Sequence, residues 1–206
     1  MAKFSTLFTD VLSQAQDCPK VVAVGEIRKA AIELCEKSAV WSRNHDPIYT
    51  YKNGDEYDMD DSPPDAVADR LLEAKLDGNP FMAGTPRDLF QYSGESGSPQ
   101  VAAVVRPAVV SLAPAPDGRY VLVMRVAYKP SKSADEMEDD IMDQWRDTIV
   151  NGALYRLKMM ANKPWSDPQA AVIHKNFFDG GVRQAKMKAV TGYGSTSNSV
   201  RKRSFS

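Results

Sequence analysis

The period of the hydrophobic pattern changes twice along this chain, and that constrains the fold more than any single motif. Up to Ser42 apolar residues recur every three or four positions. From Ile48 they alternate or gather in short β-branched runs, and after Lys129-Pro130 helical spacing returns. A period near 3.6 lays apolar residues along one side of a helix, and a period of two lays them on one face of a strand. The order predicted is therefore helices, a β-rich middle, then helices.

Phe4, Leu7, Phe8, Val11 and Leu12 predict a short amphipathic helix over residues 5–15, broken by Asp17-Cys18-Pro19. Val22, Ile27, Ala30, Ala31, Leu34, Cys35, Ser38 and Trp41 predict a longer one over 21–42, with Glu26, Lys29, Glu33 and Lys37 outside. In the middle, residues 70–76 run into an Asp77-Gly78 turn, and Thr85-Pro86-Arg87-Asp88 reads as a capped helix start. The runs 108–112 and 120–128 flank Pro114-Ala115-Pro116-Asp117-Gly118, which predicts a hairpin. Met137, Ile141, Trp145, Ile149, Ala153, Leu154, Leu157 and Met160 form one stripe and predict a single helix over 134–161. After the Lys163-Pro164-Trp165 break, Asp167 caps a last helix with Pro168 in its first turn.

Neither terminal pair of helices is large enough to bury its stripe alone. The expectation is an α+β fold in which residues 1–46 and 130–190 form a four-helix bundle. Residues 47–129 are then a β-rich insertion between helices two and three, and 191–206 an extended basic arm. The arm carries little apolar surface from Thr191 to Ser199 and closes on Arg201, Lys202, Arg203 and Phe205. Such a segment is expected to stay loose in a lone chain and to order on a partner.

Composition places the 206 residues among globular proteins, with 43% apolar and 26% charged residues. No run approaches the length of a membrane span, and the start, with one lysine at Lys3, does not suggest a secretory signal. Two cysteines, Cys18 and Cys35, give no disulfide framework and suit a reducing cytoplasm. The net charge of −1 conceals an uneven spread. Acids crowd Asp55, Glu56, Asp58, Asp60, Asp61 and Asp65, and again Asp135, Glu136, Glu138, Asp139, Asp140 and Asp143. From Lys175 onward seven cations face one acid, Asp179. That end favours acidic partners, while the two acidic stretches repel phosphate.

No catalytic constellation emerges. His45 and His174 lie far apart, and His174 has neither a following Glu nor a second His at i+4. The acidic run from Asp55 lacks the glycine and the distal Glu that close a calcium loop. Gly94-Glu95-Ser96-Gly97 is not a nucleophile elbow, and no glycine motif cradles phosphate. Trp41, Trp145 and Trp165 sit on or beside apolar stripes, where core packing is the ordinary role. Neither an enzyme nor a cofactor is expected.

Ile27-Arg28-Lys29-Ala30-Ala31-Ile32-Glu33-Leu34-Cys35-Glu36-Lys37-Ser38 leading to Trp41 is followed by Pro116-Asp117-Gly118, Tyr128-Lys129-Pro130-Ser131 and Asn151-Gly152-Ala153-Leu154-Tyr155-Arg156-Leu157. The corner Lys163-Pro164-Trp165-Ser166-Asp167-Pro168 and a helix holding Phe177 and Phe178 complete the series. Over about residues 4–189 this resembles the tailed-phage head–tail adaptor or connector family, tail tubular protein A-like, of short-tailed phages.

The resemblance implies a virion protein at the head–tail junction, assembled in the host cytoplasm. It would form a ring with itself, usually dodecameric, beneath the portal protein, extend the DNA channel, and offer a platform to the tail nozzle or tail tubular protein. Genomic DNA would pass through without sequence-specific binding, and no membrane is involved. By analogy, Arg201, Lys202, Arg203 and Phe205 would contact the portal. Acidic lumen walls let DNA slide, because binding through phosphate neutralisation needs cations. That makes Asp55, Glu56, Asp58, Asp60, Asp61, Asp135, Glu136, Glu138, Asp139 and Asp140 candidate channel-lining acids. The middle departs from the family in its acidic 55–64 stretch and its Gly/Ser-rich 93–100 loop. The rival readings are another head-closure or tail-completion protein, a DNA-binding accessory protein using the basic tail, and a virion-associated hydrolase.

Overall fold

The computed structural model describes residues 1–192. Among these, six α-helices and twelve strands follow one another. β1 (Ala2–Lys3), a 3-10 turn (Phe4–Leu7), α1 (Phe8–Leu12) and α2 (Lys20–Ser38) lead into β2 (Ser42–Asn44), β3 (Ile48–Tyr49), β4 (Glu56–Asp58), β5 (Ala66–Leu76) and β6 (Asn79–Ala83). Then come α3 (Pro86–Leu89), a second 3-10 turn (Phe90–Tyr92), β7 (Ser96–Gly97), β8 (Val101–Arg106), β9 (Val109–Ala113), β10 (Ala115–Pro116) and β11 (Val121–Pro130). β12 (Glu136–Met137), α4 (Asp139–Gln144), α5 (Arg146–Lys158) and α6 (Pro168–Thr191) close the described chain.

The centre is a curled sheet in the order β2-β11-β5-β6-β8-β9-β4, with β3 also paired to β11. β5 and β11 run antiparallel from Leu122 opposite Leu76 to Pro130 opposite Ala66. Register shifts at Arg125/Val126 and Ala127/Tyr128 interrupt this ladder, and such bulges bend a strand and raise its twist. β5 turns into β6 at Asp77 and Gly78, whose φ values of 48° and 80° are those of a tight left-handed turn. Thr85 caps α3: its backbone N–H donates to the Asp88 carboxylate at 2.7 Å, which holds that carboxyl below the usual range.

α2, α5 and α6 form a helical layer, and α2 also packs on β11. α2 buries Ala23, Ile27, Ala30, Ala31, Leu34 and Cys35 along one side. It ends at Ala39, whose left-handed φ of 55° lets its N–H reach the Cys35 carbonyl at 2.8 Å. The start of α6 is fixed by Asp167, whose Oδ1 accepts from the Ala170 N–H at 3.0 Å, with Pro168 next.

A four-helix bundle carrying a β insertion does not form. Of the first predicted pair only α2 is long; the segment before it is a 3-10 turn and the five-residue α1. The predicted helix over 134–161 is two, because Trp145, at φ −110° and ψ 18°, interrupts it between α4 and α5. The β-rich part is no appendage either. One continuous core takes Phe4, Leu7 and Leu34 from the N-terminal segment, Leu71, Leu112 and Val126 from the sheet, and Leu154 and Phe178 from the last helices. Burying the sheet's inner face against helices removes more apolar surface from water than two separate cores of this size.

The predicted hairpin at 114–118 is also absent. β9 pairs with β8 and β4, whereas β11 pairs with β2, β3 and β5. Pro114 and Pro116 cannot donate to a ladder. The stretch instead lays Ala115 and Pro116 parallel to Ser96 and Gly97.

Candidate functional site

The two acidic stretches are distant in sequence, yet β2 and the two residues after it tie them together. Arg43 on β2 pairs with Glu138, just before α4. His45, immediately after β2, is buried and lies with Nε2 against the Asp61 carboxylate. The other Asp61 oxygen accepts from the Asp46 N–H at 3.0 Å, and His45 Nδ1 lies 3.0 Å from the Asp46 carbonyl. Beneath them Tyr128 of β11 is buried, and this burial pushes its phenol up against an opposing hydrogen bond to Ser62. Residues 43–46, β2 and the segment just after it, thus hold one acid of each stretch.

Several candidate acids are consequently engaged. Glu56 pairs with Arg106, Asp135 with Arg28 at 2.7 Å, and Asp139 with the Met1 amino group at 3.0 Å. Glu136 is half-buried in β12, its backbone paired with Lys3. Asp55, Asp58, Asp60 and Asp140 are exposed and have no ion-pair partner among the described residues. Asp55 is held by its backbone, whose carbonyl accepts from the Leu112 N–H at 2.9 Å. Arg28, Arg43 and Arg106 were missed as partners by the sequence reading. All are cations on other elements, and only tertiary pairing brings them to the acids. Arg201, Lys202, Arg203 and Phe205 lie outside the described residues.

Histidine chemistry stays divided. His174 on α6 is buried with Nδ1 2.8 Å from Asn151 Oδ1 of α5, far from the His45–Asp61 pair in sequence and on other elements. Among the described residues no group of three or more His, Cys, Asp and Glu is placed to hold a metal ion. Cys18 and Cys35 are buried and unpaired, and complete burial drives the Cys35 thiol far up. No helix among the described residues is long and apolar enough to cross a membrane.

Two further surfaces stand out. α6 buries Ala171, His174, Phe178, Val182 and Ala185, while Ile173, Phe177, Met187 and Val190 are exposed. Beside its first half a groove of about 800 Å³ opens between α6, α5 and the end of α1. A second pocket of about 520 Å³ is lined by Leu89, Phe90 and Tyr92, with Phe90 79% exposed. Among the described residues the arrangement offers surfaces for packing and for charge pairing.

Comparison with known proteins agrees with that character. No curated protein matches the chain. A family model described as SU10 adaptor protein matches residues 2–203. Nearly the whole sequence fits it, helices and sheet together. The chain therefore belongs to the SU10 adaptor protein family, and is a structural component of phage virions of the head–tail adaptor kind.

Proposed function

We propose that the protein forms a dodecameric ring beneath the portal, extends the DNA channel and gives the tail nozzle its platform. In this reading it is a tail tubular protein A-like adaptor of a short-tailed phage, assembled in the host cytoplasm. The observation that carries it is the family match over residues 2–203. The exposed apolar side chains of α6 support it, since a subunit that assembles late must keep contact surface available while staying soluble on its own.

Arg201, Lys202, Arg203 and Phe205 are assigned to the portal contact. Three cations and one aromatic give an arm both charge pairing and an apolar anchor. Among the candidate channel acids, Asp55, Asp58, Asp60 and Asp140 suit that role best, because their carboxylates are exposed and unpaired. Glu56, Asp61, Asp135, Glu138 and Asp139 spend their charge on partners within the chain and contribute less field to a lumen.

The test is co-sedimentation with the portal ring of the same phage, using the full-length chain and a chain ending at Gly192. Full-length protein is expected to sediment with the portal, and the shorter chain to bind at least roughly tenfold more weakly, as loss of one anchoring cluster predicts. Failure of the full-length chain to bind, together with salt-dependent binding to bare DNA, would overturn the reading in favour of a DNA-binding accessory protein.

A further inference from the structure

α6 carries two unlike exposed ends, and we propose that they are the two halves of one contact joining successive copies of this chain head to tail. In the first half Ile173 and Phe177, 56% and 63% exposed, line the groove of about 800 Å³. Asp10 and Gln14 form its far wall, and Asp147 and Val150 of α5 its floor. In the second half Met187 and Val190 are 68% and 82% exposed, with Arg183 and Lys186 exposed beside them. Their spacings of three and four residues gather these four side chains into one patch.

The two sites cannot serve each other within one molecule. At 3.6 residues per turn the patch centre lies about 110° around the helix from Ile173 and Phe177, and one straight helix cannot fold back on itself. Among the described residues neither the groove nor the patch is filled by its own molecule, and a second copy carries the complement of each.

Charge selects the second copy as the occupant. At the groove the Asp10 carboxylate is already held by Arg146 at 2.7 Å, but Asp147 is exposed without an ion-pair partner among the described residues. On the patch, Arg183 and Lys186 likewise lack an acidic partner among the described residues. Seating the patch of one copy in the groove of the next covers Ile173 and Phe177 with Met187 and Val190, and brings Arg183 and Lys186 to the acidic floor. Such a contact is heterologous: it leaves one groove and one patch free at the ends, and it propagates until a rotation closes it. Closure into a ring rests on the function proposed above; the pairing of the two sites does not.

Cysteine cross-linking tests this with little background, because Cys18 and Cys35 are 4% and 0% exposed. The variant carrying both Asp147→Cys and Val190→Cys is expected to give a ladder of covalent oligomers on mild oxidation. Each single variant should stay monomeric, and an equal mixture of the two singles should stop at dimers. A double variant that stays monomeric would overturn the proposal. So would Val190→Cys alone dimerising as well as the mixture, since that marks a symmetric contact. The same double variant, imaged on the portal, separates the two claims. Ring density without cross-links assigns the ring to another surface and refutes this pairing alone. A ladder without portal-bound density keeps the pairing and refutes the adaptor placement.

Discussion

Gly152 of α5 lies so close to Phe178 of α6 that a Cβ at position 152 would stand 2.7 Å from the ring and 2.8 Å from Ala30 Cβ of α2. Three helices meet at this point, each fully buried there, and no flexible side-chain end is available to give way. Gly152→Ala gains about 1 kcal/mol of helix propensity and incurs overpacking of about 1–3 kcal/mol. Gly152→Val adds bulk with no further gain. We expect the urea midpoint to fall for both and more for valine, with an unchanged m-value; a midpoint at or above wild type for Gly152→Ala would contradict this packing.

Arg156 is the electrostatic link between α5 and α2. It pairs with Glu33, approaches Glu26 at 4.0 Å, and lies over the rings of Tyr155 and Phe178 at 4.5 and 5.6 Å. Glu26 is 9% exposed and would keep only Lys29 at 2.7 Å. Arg156→Ala should cost about 3 kcal/mol, the lower end for a broken buried pair. Combining it with Glu33→Gln should cost clearly less than the sum of the two single changes. Additive losses in denaturation would show that the two residues are not coupled.

His174 makes stability depend on acid. Its burial, and then the charge of Lys158, lower its pKa from 6.5 against the opposing pull of Asp167. The unfolded chain therefore takes up the proton first as pH falls. Stability should be flat with respect to this group above about pH 7 and decline below its unfolded value, until the folded form titrates too. His174→Gln should flatten that part of the profile. An equally steep decline in the glutamine variant would assign the acid sensitivity to other groups.

What was legible in the sequence was local. The Asp167-Pro168 start of α6 and the Asp77-Gly78 turn are set by residues adjacent in the chain, and both form where their side chains dictate. Strand partnership is not local. The runs on either side of Pro114-Gly118 have the composition of a hairpin, yet the better partners for β11 are β5, forty or more residues earlier, and β2. The apolar stripe through Trp145 continues unbroken in sequence while the backbone leaves the helix there, because periodicity reports which side is buried and not where a turn is lost. The acidic clusters were plain in the sequence. That Arg43 of β2 and His45 just after it would anchor both was not, since neither residue is near its partner along the chain.

The adaptor account is tested most directly by cryo-electron microscopy of the full-length chain bound to its portal ring. The account predicts a second, rotationally symmetric ring coaxial with the portal. Asp58 and Asp60 should face its lumen, and each α6 should reach the neighbouring subunit. Portal rings that remain bare at saturating protein, or that carry this chain only on their outer wall away from the channel axis, would contradict it.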